Sequence, residues 1–263
     1  MYETNFHKAA TAQEAAALLS RSEDGKILAG GQTLIPTMKQ RLADPSDVID
    51  VSAAADLRGI TIAGDQVTIG AMTTHAEVAG HAALAALCPS ICKLAANIGD
   101  PAVRHRGTIG GSLANNDPAA DYPAAALALN ARIHTTSREI AADDFFEGMF
   151  TTALEDDEII TAVSFTAPAK GGYGKFPNPA SRYAMAGVFV AKLADGSVRV
   201  AVTGAGEDGV HRHDGLEAAL SADWAASAVD GVEISSDGLL SDLHGNAEYR
   251  ANLIKVMAKR ALG

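Results

Sequence analysis

The sequence has few cysteines, no cluster of basic residues and no long apolar run. No stretch approaches the roughly 20 apolar residues of a membrane-spanning helix. The first residues lack the basic and apolar regions of a signal peptide. A net charge of -11 without a basic cluster is unlike a nucleic-acid-binding surface. These absences predict a cytoplasmic protein with no membrane span and no nucleic-acid partner.

The two cysteines, Cys88 and Cys92, are too few for an iron–sulfur cluster, which usually takes about four thiolates. Four positions apart, they lie on one face of a helix. Free cysteine is commonly buried, so we expect both to be small core residues. The chain therefore cannot bind such a cluster by itself.

Two stretches with adjacent glycines are the most informative features of the sequence. One contains Gly30 and Gly31, and the other contains Gly110 and Gly111. Glycine lets backbone N–H groups turn toward a ligand without a Cβ in the way, and a concave run of such donors binds anions. A surface turn is the alternative, since glycine also marks loops. Two such stretches together favour a ligand with two phosphates or one pyrophosphate.

The surrounding pattern predicts α/β units. The first glycine pair follows a predicted strand at 26–29 and precedes a predicted helix at 33–42, a setting in which a helix N-terminus can meet a phosphate. A second strand at 48–51 would complete a small parallel sheet. Residues 60 to about 165 suggest a second α/β unit with a hairpin at 60–69, a buried helix at 84–97 and a strand at 159–165.

The last third of the chain begins with a Gly/Pro-rich stretch at 168–179, which predicts a domain junction. An antiparallel hairpin at 188–202 and a closing helix capped by Asn246 follow. We expect this part to serve support and docking. The helix should turn one apolar stripe inward, formed by Tyr249, Leu253, Val256 and Met257.

With these features in place, the chain resembles the FAD-binding subunits of molybdenum hydroxylases. These include the medium subunit of carbon monoxide dehydrogenase and the FAD domain of xanthine dehydrogenase-like enzymes. The resemblance rests on both glycine stretches, on Asp117-Pro118 with Asp121, on the run through Glu158, and on the closing helix. It covers nearly the whole chain.

The resemblance implies an α+β fold. Residues 1–168 would form an FAD-binding domain of the vanillyl-alcohol-oxidase or PCMH type, with subdomains at about 1–58 and 59–168. Residues 169–263 would form a C-terminal α+β domain of the carbon monoxide dehydrogenase flavoprotein type, with an antiparallel sheet.

The resemblance also assigns FAD as the cofactor, with no metal ligand and no catalytic residue in this chain. One wall of the site would consist of the first stretch, the other of the second, with Asp121 on a ribose or ribityl hydroxyl and two further positions near the FAD. The cofactor-binding residues so implied are Ala29, Gly30, Gly31, Gln32, Thr33, Thr108, Ile109, Gly110, Gly111, Ser112, Asp121, Ile160 and Lys175.

The implied role is electron transfer within a larger oxidoreductase. Electrons would arrive from [2Fe-2S] clusters of a small partner subunit and leave to a quinone, NAD or oxygen. A large partner subunit with molybdopterin would oxidise the substrate, and the three subunits would form a dimer of heterotrimers. Carbon monoxide is one candidate substrate, while aldehydes and N-heterocycles remain open.

The sequence departs from the family pattern after Lys175. A basic run is replaced by Pro177-Asn178-Pro179, and Arg182 stands where the family has an acid. This departure puts the roles carried over to this loop, including that of Lys175, in doubt. It suggests a different acceptor or partner surface.

Two other functions stay open at this point. A flavin-free assembly subunit would have kept the fold and lost the cofactor, although the intact glycine pairs disfavour it. A stand-alone flavin oxidase would need acid/base residues of its own, and no such cluster is evident. The run at 204–209 matches the dinucleotide fingerprint by letter, but its strand belongs to an antiparallel hairpin, so we interpret it as a surface loop.

Overall fold

The first part of the chain forms a small parallel sheet with two helices. The structure, a computed structural model, describes all residues from 1 to 263. The sheet has the strand order β1-β3-β2, so the two predicted strands are confirmed and are parallel, and an unpredicted strand joins them. The elements are β1 (Asn5–Lys8), α1 (Ala12–Leu19), β2 (Gly25–Leu28), α2 (Leu34–Lys39) and β3 (Asp47–Asp50).

A five-stranded antiparallel sheet follows, in the order β4-β5-β10-β6-β7. The predicted helix at 84–97 is two helices, because Pro89 disfavours helical backbone at Cys88, whose φ is -139°. Both cysteines are buried as predicted. The elements are β4 (Ile60–Ala63), β5 (Gln66–Gly70), α3 (His75–Gly80), α4 (Ala82–Leu87), α5 (Pro89–Ala96), α6 (Pro101–Arg104), α7 (Ile109–Asn115), α8 (Tyr122–Ala128), β6 (Arg132–Thr135), β7 (Glu139–Ala141), α9 (Ala142–Phe145), β8 (Phe146–Gly148), β9 (Thr151–Thr152) and β10 (Ile160–Thr166).

The last third contains a four-stranded antiparallel sheet, in the order β11-β12-β13-β14. The Gly/Pro-rich stretch predicted as a junction is largely strand β11. Its glycines permit a close crossing by the last helix, since a Cβ on Gly172 would lie 1.7 Å from the carbonyl oxygen of Ala261. The elements are β11 (Lys170–Pro177), β12 (Ala184–Lys192), β13 (Val198–Thr203), β14 (His211–Arg212), α10 (Asp214–Ala222) and α11 (Ala247–Leu262).

The predicted inward stripe of α11 is confirmed at Leu253 and Met257, which are buried, but not at Tyr249, which is 42% exposed and forms a T-shaped ring pair with Phe176. The buried face instead extends to Ile254 and Ala258. The shift follows from the glycines of β11, because the helix backbone can approach the sheet along the side that carries Met257 and Ala261. None of the helices has the length and apolar character needed to cross a membrane.

One apolar core joins the last third to the middle of the chain. Tyr173 and Phe189, from β11 and β12, belong to the same buried cluster as Tyr122 and Ile133. Thr203 Oγ1 also donates a hydrogen bond of 2.6 Å to the backbone oxygen of Ala120. Residues 169–263 therefore complete the core beneath α8, in addition to any supporting or docking role.

We expect a chain truncated after residue 168 to lose cooperative folding, because the truncation uncovers this core and removes Lys175 from buried Asp121. Far-UV and near-UV circular dichroism during a thermal scan would test this. The truncated chain should show no sharp near-UV transition, unlike the full chain. A cooperative transition at the wild-type midpoint would show that residues 1–168 fold independently.

Candidate functional site

The three sheets surround one large cavity of about 540 Å³. This volume lies within the roughly 300–1,000 Å³ of small-molecule and cofactor sites. The loop after β2 and the start of α7 form two of its walls, and β11 with the 181–183 turn closes a third side. All of the predicted site residues line it except Ile109, which is 2% exposed and packs in the core.

The backbone amides of the first glycine stretch have no partner within the protein. From residue 29 to residue 34, no N–H donates a hydrogen bond to the chain, and every one of these residues lines the cavity. Gly31 has a φ of +69°, a left-handed conformation that turns successive amides toward one side. A concave run of amides without partners in the chain is a donor set that fits an anionic ligand.

Gly30 brings the two glycine stretches into contact. A Cβ at this position would lie 2.2 Å from the carbonyl oxygen of Arg106 and 2.8 Å from the Cα of Gly107. Only a residue without a side chain allows the two backbones to approach so closely. The glycine therefore sets the distance between the walls of the cavity, in addition to exposing its own amide.

The second stretch does not form the amide cradle that the sequence suggested. The amide of Gly110 donates to Ala71 O at 2.9 Å, that of Gly111 to Thr108 Oγ1 at 3.2 Å, and that of Ser112 to Thr108 O at 3.0 Å. Thr108 caps α7 and so occupies these donors itself. What remains for a ligand is the amide of Thr108, which makes no hydrogen bond within the chain, and the Ser112 hydroxyl at the cavity wall.

Both helices beside the glycines are short, with six residues in α2 and seven in α7. The expected contribution of a helix N-terminus is correspondingly small. The loop amides are therefore the main donors without a partner at this site.

A buried ion pair forms part of the cavity wall. Lys175 Nζ lies 2.9 Å from the Asp121 carboxylate and 3.1 Å from the backbone oxygen of Asn97, and the Tyr173 hydroxyl donates to Asp121 Oδ1. Burial raises the pKa of Asp121, while the Lys175 ammonium and the Tyr173 hydroxyl oppose that rise. The side chains of Asp121 and Lys175 are 5% and 6% exposed. The pair joins α8 to β11 at the cavity.

Residues 177–183, where the sequence departs from the family pattern, form a tight turn beside the cavity. Asn178 Oδ1 accepts hydrogen bonds from the amides of Ala180 and Ser181, and Asn178 N donates to Tyr183 O at 2.7 Å. Arg182 has a φ of +62° and lines the cavity next to Tyr183. Lys175 reaches the cavity from within β11 rather than from the turn.

Sequence reasoning missed several residues of the wall. His75 is 5% exposed, and burial lowers its pKa to about 4, with Arg104 adding to the effect. The imidazole is therefore neutral at pH 7. Burial also raises the pKa of Asp117. No spacing in the sequence marks His75, which a distant segment brings to the cavity, whereas Asp117 belongs to the motif with Asp121 and was assigned no role of its own. The apolar end of the wall includes Ile27, Val51, Leu57, Met72, Leu154 and Ile159.

Comparison with known proteins gives a consistent result. The family model described as the FAD binding domain in molybdopterin dehydrogenase matches residues 2–168. The nicotine 6-hydroxylase medium subunit of Paenarthrobacter nicotinovorans is 39% identical, with 96% of this chain and 94% of the relative covered. The carbon monoxide dehydrogenase medium chain of Hydrogenophaga pseudoflava is 34% identical, covering 98% of this chain and 95% of the relative.

A solved structure agrees with these relatives. Reconstituted CO dehydrogenase from Oligotropha carboxidovorans contains a chain that superposes with a TM-score of 0.90 at 34% identity, covering 99% of this chain and 96% of the other. The mixed helix-and-sheet architecture is therefore shared along the full length.

Proposed function

Because the chain belongs to the FAD-binding medium subunits of molybdenum hydroxylases, we propose that its cavity holds FAD with the pyrophosphate on the loop after β2. The unpaired amides of residues 29–34 support this placement more than any other observation. They would come from Ala29, Gly30, Gly31, Gln32 and Thr33, and from Leu34 beyond them. Such an intact donor run disfavours the flavin-free alternative.

The opposite wall has a different task. Thr108 and Ser112 would supply one amide and one hydroxyl to the cofactor. Gly110 lets the start of α7 pack closely on Ala71, and Gly111 leaves space opposite Ala29. Ile109 would hold the wall against the core without touching the cofactor.

Asp121 would accept a hydrogen bond from a ribose or ribityl hydroxyl through the lone pairs left by Tyr173 and Lys175. Ile160 would contact the cofactor near the apolar end of the cavity, where a ring system can be buried.

FAD bound in this cavity would supply the redox chemistry, while the residues of this chain hold and orient it. The subunit is an electron-transferring component of an oxidoreductase, as its family membership establishes. Medium subunits of nicotine 6-hydroxylase and of carbon monoxide dehydrogenase are 39% and 34% identical to this chain. We infer that substrate choice lies in the molybdenum-containing subunit, with carbon monoxide, aldehydes and N-heterocycles as candidates.

The wider assignments are proposals of the same kind. We place the chain in a cytoplasmic dimer of heterotrimers with an iron–sulfur subunit and a molybdopterin subunit, and propose a quinone, NAD or oxygen as acceptor. We propose a PCMH-type FAD domain at 1–168, with subdomains at about 1–58 and 59–168, and a C-terminal domain at 169–263. Because the two domains share one apolar core, we do not expect either of them to fold independently.

Gly111→Ala tests the placement of FAD between the two stretches. The added Cβ would lie 3.0 Å from Thr108 Oγ1 and 3.9 Å from Ala29 Cβ, so it enters the gap between the walls with little disturbance of the core. We expect FAD affinity, measured by titration of the apoprotein, to fall about tenfold, equivalent to about 1.4 kcal/mol. Stability should stay within about 1 kcal/mol of wild type.

Gly80→Ala is the matched control, because a Cβ there meets no atom within 4 Å. It should leave FAD affinity unchanged. Wild-type FAD affinity in Gly111→Ala would place the cofactor elsewhere.

A further inference from the structure

The loop that joins β9 to β10 forms part of the apolar end of the cavity. It runs from residue 153 to residue 159 without a helix or strand of its own. Leu154, Glu158 and Ile159 line the cavity from this loop. Ile159 also belongs to a buried apolar cluster with Leu57 and Met72. The position of residues 153–159 therefore determines the shape of the apolar end.

Arg138 holds this loop at both of its ends. Its guanidinium donates two hydrogen bonds to the Glu158 carboxylate, from Nε to Oε1 and from Nη2 to Oε2, each at 3.0 Å. The same Nη2 donates to Ala153 O at 2.6 Å, and the Glu155 amide donates to Glu158 Oε2 at 3.1 Å. Arg138 lies between β6 and β7 and does not line the cavity itself. It supports the wall from outside.

The Glu158 carboxylate is fully engaged by these contacts. Its side chain is 1% exposed, although the residue lies at the cavity wall. Burial would raise the pKa of Glu158, but hydrogen bonds from Arg138 and Thr135 outweigh it and hold the pKa below its usual value. The carboxylate is therefore ionised at pH 7 and bound to Arg138, so it orders the wall rather than recognising a ligand.

The apolar end suits the ring of the cofactor that needs no access to solvent. Val51, Leu57 and Met72 at this end are at most 4% exposed. Residues 181–183, which line the cavity from the C-terminal part of the chain, are exposed. A flavin that exchanges electrons with a partner needs the accessible side, which leaves the buried end for the adenine ring.

We propose that Arg138 and Glu158 form a positioning pair, which holds the 153–159 loop so that Leu154 and Ile159 close on the adenine ring of FAD. The proposal rests on the proposed function. Arg138 acts without touching the cofactor, because it reaches the loop only through Glu158 and Ala153. A binding site keeps its geometry when the residues that form it are locked in this way by hydrogen bonds from behind.

Arg138→Met removes the hydrogen bonds of the pair and keeps an unbranched side chain. The full-length apoprotein would be titrated with FAD, and with ADP, which carries the adenine ring without the flavin. We expect both Kd values to rise about tenfold, because the loop no longer holds Leu154 at the cavity. The visible spectrum and the reduction potential of the bound flavin should match those of wild type, since its ring lies at the other side.

Two further substitutions test how the pair acts. Arg138→Lys keeps the charge that compensates buried Glu158 but not the two-bond geometry, so this variant should fold and give an intermediate Kd for FAD. In a Leu154→Ala background, Arg138→Met should raise the Kd by a smaller factor than in wild type, because the side chain that the loop positions is already gone.

Arg212→Met is the matched control. Arg212 donates to the Glu217 carboxylate with the same two-bond geometry, from Nε at 2.8 Å and from Nη2 at 2.6 Å. Neither residue lines the cavity. This variant should lose stability, measured by urea denaturation, and should still bind FAD and ADP with wild-type affinity.

Three outcomes would overturn the proposal. The first is wild-type affinity for FAD and ADP in both Arg138 variants. The second is an equal loss of affinity in Arg212→Met, which would reduce the effect to general destabilisation. The third is weakened FAD binding with unchanged ADP binding and a shifted flavin spectrum, which would place the flavin ring at the apolar end. Failure of the proposed function would differ from all three, because the wild-type apoprotein would then bind no FAD.

Discussion

Lys175→Met is expected to lower the free energy of unfolding by about 3–5 kcal/mol, the usual cost of leaving one partner of a buried ion pair uncompensated. The Lys175 ammonium is the only cation within hydrogen-bonding distance of the Asp121 carboxylate, and both side chains are almost fully buried. Without the Lys175 ammonium, nothing of opposite charge compensates the burial of the Asp121 carboxylate, which must then bind a proton or a water molecule. Urea denaturation with a two-state fit would measure the loss.

The pH dependence gives this prediction a second readout. Lys175 opposes the rise that burial causes in the pKa of Asp121, so its removal should raise that pKa further. Between the unfolded-state value near 3.9 and the raised folded-state value, the folded variant holds a proton that the unfolded chain has released, so its stability falls as the pH rises. The loss in free energy of unfolding of Lys175→Met relative to wild type should therefore be larger at neutral pH than at about pH 5.

Asp121→Asn in the Lys175→Met background is the matched control. Removing the orphaned charge should restore about half or more of the lost stability, and the coupling between the two sites should exceed about 1 kcal/mol. FAD affinity should fall in Lys175→Met, because the pair forms part of the cavity wall. Equal and additive losses for the two single variants would show that the ion pair is energetically unimportant.

The sequence was a good guide to local elements and a poorer guide to their packing. The strands around 26–29 and 48–51 were predictable because apolar runs with turn residues at their ends have few alternatives. The Gly/Pro pattern of 168–179 predicts a junction, whereas the structure has strand β11 there. Its glycines are required by the crossing of α11, which lies about 80 residues further along the chain. No local signal reports such a crossing.

In the candidate site too, local sequence locates the residues, whereas contacts between distant residues determine their roles. Both glycine stretches could be located from their residues, but their roles differ for a tertiary reason. Thr108 and Ala71 occupy the amides of the second stretch, whereas nothing in the chain occupies those of the first. Pairing of Asp121 with Lys175 joins residues 54 positions apart, so spacing alone could not suggest it.

Gly30→Ala is expected to cause the largest loss of cofactor binding. Its Cβ would lie 2.2 Å from Arg106 O, a backbone atom that cannot rotate away, so the two glycine stretches must separate. Overpacking of this kind costs about 1–3 kcal/mol of stability. Separation also moves the amides of residues 29–34 relative to Thr108 and Ser112 on the opposite wall. Hydrogen bonds to a charged group contribute about 1.5–3 kcal/mol each, so misplacing two of them should weaken FAD binding about a hundredfold or more.

Titration of the apoprotein with FAD would measure that loss, and circular dichroism would confirm that the variant is folded. Gly231→Ala is a suitable control, because its Cβ would meet no atom within 4 Å and its position lies outside the cavity. It should bind FAD as wild type does. If Gly30→Ala folded and retained wild-type affinity, the close contact between the stretches would not set the geometry of the cofactor site. A loss of affinity that exceeds the loss of stability, both expressed as free energies, would show that the contact at Gly30 acts on the cofactor through the spacing of the two walls.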